Sequence, residues 1–255
     1  MKTVFYVIAS DSHYHGCRTD EFIKSFKKFH PDIDLVVFKQ PDIERVFSKH
    51  PRINFYNATA AFAKELYNDY ELVVKIDADH LIFGRMTEIL EGNYDVAIPT
   101  NFNAAHNSGI KLDCFNPAGT FASTTMIPYD KYLQAGLVAS TSKKFWDELH
   151  FASIKYSDLF GNKENDILNL LVHLLPYNIK LLEGDWTYPS SAFNCYYGCA
   201  SLGRENQIVV NNDRLELDGK PVKAYHFARG GIDKIHPRNL FRTDVVDFIY
   251  KNIVT

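Results

Sequence analysis

Cysteine is scarce in this chain: four of 255 residues, Cys17, Cys114, Cys195 and Cys199. Four scattered cysteines do not make the framework that staples small secreted domains. Cys195 and Cys199 stand four apart with no second pair at zinc-ligand spacing, so free or buried thiols in a reducing compartment are expected. No apolar run approaches the roughly 20 residues that span a bilayer. Nor is there a cleavage-site pattern behind the first apolar run, and a cytoplasmic location is the expectation. Charge of one sign is also missing. Lys and Arg total 28 against 31 Asp and Glu, a formal net charge of −3. A nucleic-acid binder normally carries a basic excess, so that partner is not expected. Internal repeats, low-complexity segments and Gly/Ser linkers are absent. A G-x-S-x-G nucleophile turn is absent too, which removes the corresponding hydrolase chemistry.

Hydrophobic residues make up 46% of the chain, enough for a sizeable core. Short β-branched and aromatic runs alternate with helical spacing in the first hundred residues. Strands are expected at Thr3 to Ala9, Asp34 to Phe38, Glu71 to Ile76 and Asp95 to Pro99. Helices are expected at Thr19 to Phe29, with Phe22, Ile23, Phe26 and Phe29 on one face, and at Ala58 to Tyr67. This alternation predicts an α/β fold with an open, mostly parallel central sheet flanked by helices. The later part is more mixed. Strands are expected at Thr120 to Ile127 and Ile179 to Leu182, and helices at Ser142 to Tyr156, Lys163 to Leu175 and Arg238 to Ile253. Asp218-Gly219 marks a hairpin. One continuous domain over 1–255 is expected, with a regular first half (1–100) and a more mixed second half that ends in the C-terminal helix (101–255).

In such sheets ligands gather at the carboxyl ends of the strands. The sharpest polar cluster sits there: Lys75-Ile-Asp-Ala-Asp-His, with Asp77 and Asp79 at i and i+2 where an apolar strand runs out. Two neighbouring carboxylates repel unless a cation lies between them, and hard divalent ions such as Mn²⁺ and Mg²⁺ bridge carboxylates to phosphates. A solvated turn is the competing reading, since Asp is common in turns. His226, in Lys223-Ala-Tyr-His-Phe-Ala-Arg-Gly-Gly, is a candidate third ligand. Gly230 lets backbone N–H groups approach a phosphate, and Lys234 adds a point charge.

This set of motifs resembles nucleotide-sugar glycosyltransferases of the GT-A (Rossmann-like) fold, most closely the family 8 type of retaining galactosyl- and glucosyltransferases. Ala9-Ser-Asp-Ser-His-Tyr is similar to the family's A-x-D-x-x-Y, which implies that Asp11 and Tyr14, with Ala9, hold a uracil base. Ala58 to Leu66 resembles the helix before the D-x-D strand, with Lys64 where the family has Arg. Phe115-Asn-Pro-Ala-Gly is similar to F-N-[SA]-G with one residue inserted, and points to Asn116. Glu164-Asn-Asp-Ile-Leu-Asn resembles [EQ]-Q-D-x-L-N, which places Asp166 near the reacting sugar. The motif around His226 departs from the family's H-F-x-G-x-x-K-P-W: its glycine arrives one residue late, and Ile235 and His236 follow Lys234.

The resemblance implies a metal-dependent transferase that takes a UDP-sugar donor and a glycan or other hydroxyl acceptor. Asp77, Asp79 and His226 would hold Mn²⁺ or Mg²⁺, with Asp77 and Ala78 also at the donor. If the enzyme retains configuration, the leaving phosphate can take the acceptor's proton. If it inverts, a carboxylate must do so, and Asp166 and Asp185 are the candidates. An inverting GT-A enzyme, a nucleotidyltransferase and a non-catalytic sugar-nucleotide-binding protein remain open at this point.

Overall fold

A computed structural model describes residues 1–16, 19–55, 57–99, 111–115, 121–126, 133–156, 164–182, 196–199, 205–227 and 241–254. The first half alternates as expected: β1 (Thr3–Ile8), α1 (Asp11–Gly16), α2 (Thr19–Phe29), β2 (Asp34–Phe38), α3 (Gln40–Lys49), α4 (Thr59–Ala63), β3 (Leu72–Ile76), β4 (His80–Ile82), α5 (Thr87–Leu90) and β5 (Val96–Pro99). The second half supplies β6 (Lys111–Phe115), β7 (Phe121–Met126), β8 (Leu137–Ser140), α6 (Lys143–Tyr156), α7 (Glu164–Leu174), β9 (Ile179–Leu182) and β10 (Tyr196–Cys199). It closes with β11 (Val209–Asn211), β12 (Arg214–Leu217), β13 (Lys220–His226) and α8 (Thr243–Ile249).

Six strands form the central sheet in the order β2-β1-β3-β8-β5-β9. Strand β1 is parallel to both β2 and β3, and β5 is parallel to β9, while β8 runs antiparallel to β3 and β5. Side chains alternate across this sheet. Val4, Tyr6, Val73 and Val138 face one buried layer, with Phe62, Phe145, Trp146 and Leu168 from the helices. Phe5, Val7, Val74, Ile76 and Leu137 face the other, with Phe22, Phe26 and Met86. Burial on both faces explains why β1 reads as an apolar run from Val4 to Ile8 and β3 as one interrupted only by Lys75.

A second sheet, β10-β13-β12-β11, is joined to the first unit by β4, which pairs antiparallel with β13. Its own core includes Leu81, Phe83, Leu217, Tyr225 and Phe227, covered by Val245 and Ile249 of α8. The Asp218-Gly219 hairpin forms as expected, both residues having positive φ (50° and 74°). Asn212 and Asp213 make a second tight turn, at φ 47° and 57°; these residue types tolerate that region.

Some boundaries differ from the sequence reading. After Ala63 the α-helix tightens into turns with i→i+3 bonds, such as Leu66 N to Ala63 O at 3.0 Å. Helix α8 begins at Thr243 and continues into a wider turn over Tyr250–Val254. Helix α3 carries no expectation from the sequence, yet Pro41 lies in its first turn and the Asp42 carboxylate accepts from Lys39 N at 3.2 Å.

Candidate active site

Strand β3 delivers Asp77 and Asp79 to the carboxyl end of the central sheet. Strand β13 delivers His226 to the same point, because its antiparallel pairing with β4 sets His226 opposite His80. Phe227 N donates to Asp79 O at 2.8 Å and extends that pairing by one bond. The side chains meet: His226 Nε2 lies 2.9 Å from Asp79 Oδ1 and 3.7 Å from Asp77 Oδ2. Asp79 and His226 are buried, whereas Asp77 is about one-third exposed, with its side chain at 37%. Ala78 is buried between the two acids.

Lys75, two residues before Asp77, is buried at 5% exposure. Its ammonium donates to Asp77 Oδ1 at 2.6 Å and to Ala135 O at 2.5 Å. Burial alone would lower its pKa, but the Asp77 and Glu164 carboxylates outweigh that and hold it above the usual lysine value. Glu164 stands at the start of α7, where it accepts from Thr59 N at 3.1 Å and Thr59 Oγ1 at 2.7 Å. Burial pushes the Glu164 carboxyl up to about 7, against the pull of Lys75 and the Thr59 bonds.

The segment Leu133 to Gly136 ties these elements together. Asn169 of α7 clamps Leu133, accepting from its N–H at 2.8 Å and donating to its carbonyl at 2.9 Å. Asn165 accepts from Ala135 N at 2.7 Å. The Gln134 amide lies 2.7 Å from His226 Nδ1, and Asp77 N donates to Gly136 O at 2.8 Å. Gly136 lies beneath the centre: a Cβ there would come within 3.0 Å of His226 Nδ1 and 3.2 Å of Asp77 Oδ2. Asp166 is buried in the first turn of α7, the helix held by this segment.

The donor set suits a divalent cation. Asp79, His80 and His226 offer ligand atoms within 4.8 Å of one another, and Asp77 adjoins them through His226. Carboxylate oxygen and imidazole nitrogen are ligands that Mn²⁺ accepts readily.

The other expected residues lie around this centre or outside the described residues. Ala9 is buried at the end of β1, its N–H bonded to Phe38 O at 2.9 Å. Asp11 opens α1 at the surface. Tyr14 donates to Asp20 Oδ1 at 2.5 Å, a bond that raises its pKa, and Lys39 lies over its ring at 5.4 Å. Lys64 pairs with Asp147 at 2.6 Å on the α4–α6 surface and is not brought to the carboxylates. Asn116, Asp185, Gly230 and Lys234 lie outside the described residues. The sequence reading did not single out Lys75, Glu164, His80, Gln134 or Gly136. A lysine inside the apolar run Leu72–Ile76 is itself a signal, because a buried ammonium demands acids. Gln134 and Gly136 belong to no motif and gave none.

No protein-family model and no curated protein sequence matches the chain. Solved structures do share its fold. The galactosyltransferase LgtC, in complex with donor and acceptor sugar analogs, superposes with a TM-score of 0.58 at 14% identity, over 99% of this chain and 96% of that one. An active-site mutant of LgtC gives 0.58 at 15% identity with the same coverage. The bifunctional glycosyltransferase WbbM gives 0.53 at 16% identity, over 99% of this chain and 52% of that one. The α/β architecture is therefore the GT-A fold of these glycosyltransferases. At such identities the likeness is one of fold.

Proposed function

We propose that this protein is a metal-dependent glycosyltransferase that moves a hexose or related sugar from a UDP-sugar to a hydroxyl acceptor, most naturally a glycan. The observation that carries the reading is the meeting of Asp77, Asp79 and His226 at the carboxyl end of β3 and β13, on a fold shared with LgtC and WbbM. Donor and acceptor sugar analogs bound to LgtC support the same classes of partner here.

When bound, a Mn²⁺ or Mg²⁺ ion supplies Lewis-acid stabilisation of the leaving diphosphate. Asp77, Asp79 and His226 hold it. Lys75 fixes Asp77 through Oδ1, which leaves Oδ2 directed towards the centre. Asp11 and Tyr14 select the base at the end of β1. Asp166, on the helix clamped to segment 133–136, orients the sugar or the incoming hydroxyl, a role that Asn116 shares. Gly230 and Lys234 offset charge on the diphosphate, and Asp185 is the alternative acid on the acceptor side. Lys64, expected at the donor, has its ammonium paired with Asp147 on the α4–α6 surface.

Calorimetric titration with UDP, GDP and CDP, each with and without Mn²⁺, tests this. UDP binding only with metal, lost in Asp79→Ala, is the expected result. Metal-independent binding, or none for any nucleoside diphosphate, contradicts it.

A further inference from the structure

The amino end of β3 carries a cavity, at the end of the strand opposite Asp77. Its volume is about 330 Å³, and it is lined on one side by Tyr67 to Glu71 and on the other by Ser140 to Lys143, where β8 gives way to α6. That size falls at the lower end of small-molecule sites, about 300–1,000 Å³. The five residues of β3 separate it from Asp77, a span of about 17 Å. A ligand held here is therefore not the sugar-nucleotide donor.

Tyr67 and Tyr70 give the cavity two aromatic walls. Their hydroxyls pin both rings: Tyr67 donates to Asp147 Oδ1 at 3.0 Å, and Tyr70 to Asp34 Oδ2 at 3.0 Å. Rings fixed in this way lose little freedom when a ligand stacks on them. Trp146 of α6, 1% exposed, also lines the cavity, and its indole Nε1–H has no acceptor among the described residues. A buried indole N–H ordinarily finds one. Most other polar groups here accept. Thr141 Oγ1 directs its proton to Tyr94 O at 2.6 Å, which leaves the oxygen to accept. Asp69 and Glu71 add carboxylates, while Asn68 Oδ1 takes the Lys143 ammonium at 3.3 Å and leaves its amide nitrogen to donate.

Aromatic faces beside many acceptors and a few donors suit a molecule with apolar C–H faces and a dense set of hydroxyls, which is a saccharide. Two carboxylates against one ammonium disfavour an anionic one. We propose that this cavity is a second saccharide site, which takes an uncharged mono- or disaccharide unit without metal or nucleotide and so anchors a glycan acceptor away from the metal centre. The anchoring role rests on the transferase reading above; the saccharide site itself rests on the lining of the cavity.

The chain has two tryptophans, Trp146 and Trp186, so its indole N–H resonances form a small set that Trp186→Phe assigns. The test follows them by ¹⁵N NMR on the full chain, with neither Mn²⁺ nor UDP present. The probes are glucose, galactose, N-acetylglucosamine, lactose and maltose. At least one should shift the Trp146 resonance saturably, in Asp79→Ala as in wild type. Tyr67→Ala should weaken that binding about tenfold, and Tyr67→Phe, which keeps the ring, should not. In transfer assays Tyr67→Ala should raise KM for a long glycan acceptor and leave kcat unchanged; an unchanged KM overturns the anchoring role. No shift with any probe, or a shift that needs Mn²⁺ and UDP or is lost in Asp79→Ala, overturns the proposal and leaves the donor-site reading intact. A Trp146 shift in a protein that binds no nucleoside diphosphate supports the saccharide site and overturns the anchoring role together with the transferase reading. Should Tyr67→Ala not fold, Thr141→Val, which removes the accepting oxygen, takes its place.

Discussion

At the residue scale, the centre is an arrangement of charges that only makes sense together. Lys75 is a buried ammonium flanked by Asp77 and Glu164, and Glu164 is a carboxyl whose burial raises it from 4.5 to about 7. An acid raised by folding favours the native state fully below its unfolded pKa, and that contribution is lost as pH rises through 7. Glu164→Gln stays neutral throughout and keeps an oxygen for Thr59. The melting temperature of this variant, measured against wild type, should be about equal at pH 4.5. At pH 8 it should gain, by about 1–3 kcal/mol in stability. A gap independent of pH would show that Glu164 titrates as an ordinary surface acid. Gly136 gives a second prediction of this kind. Gly136→Ala pushes a methyl to 3.0 Å from His226 Nδ1, so Mn²⁺ binding by calorimetry should weaken about tenfold, or about 1.4 kcal/mol.

At the scale of elements, one short segment connects three of them. Asn169 satisfies both backbone groups of Leu133, which is wholly buried. Asn169→Ala leaves a buried N–H and a buried carbonyl unpaired, at about 2–4 kcal/mol. Chemical denaturation should show that loss, and Mn²⁺ affinity should fall with it because Gln134 and Ala135 sit in the same segment. Unchanged stability would mean that α7 is not anchored there. The elements themselves were largely legible. Strands β1, β2, β3 and β5 followed from apolar runs of strand length, and the Asp218-Gly219 turn from its residue types. Asp77, Asp79 and His226 were legible as chemistry, since acids that end a buried strand need a reason. Their meeting was anticipated only through the family resemblance, because no local pattern says that β13 pairs with β4. Strand β4 is three residues long, too short for a period, and it places His80 opposite His226 only through a partner some 140 residues away. Gln134 and Gly136 act through backbone position, which sequence spacing does not encode.

At the scale of the whole molecule, two buried layers on either side of one sheet hold the carboxyl ends of β1 and β3 in place. Each layer contains a histidine held neutral. His30 packs on Phe26 with ring centroids 4.9 Å apart and accepts from Met86 N at 3.0 Å. Burial, then Arg85, lowers it from 6.5 to about 4. His150 is lowered to about 4 by burial, Lys64 and His50. For a base whose pKa is depressed by folding, the native advantage is present above the unfolded value and is lost as pH falls through the folded one. Stability should therefore decline between pH 6.5 and pH 4, and His30→Gln, which keeps an acceptor for Met86 N–H, should flatten that decline. An identical slope in the variant would place the acid sensitivity elsewhere.

The central claim concerns what this fold and centre do together. Incubating the protein with Mn²⁺ and a panel of UDP-sugars, and following UDP release with and without mixed glycan acceptors, tests it most directly. The account predicts that one UDP-sugar yields UDP, faster with an acceptor, and that Asp79→Ala abolishes the release. No UDP from any sugar in the panel, or pyrophosphate formed from a nucleoside triphosphate and a sugar phosphate, would contradict it.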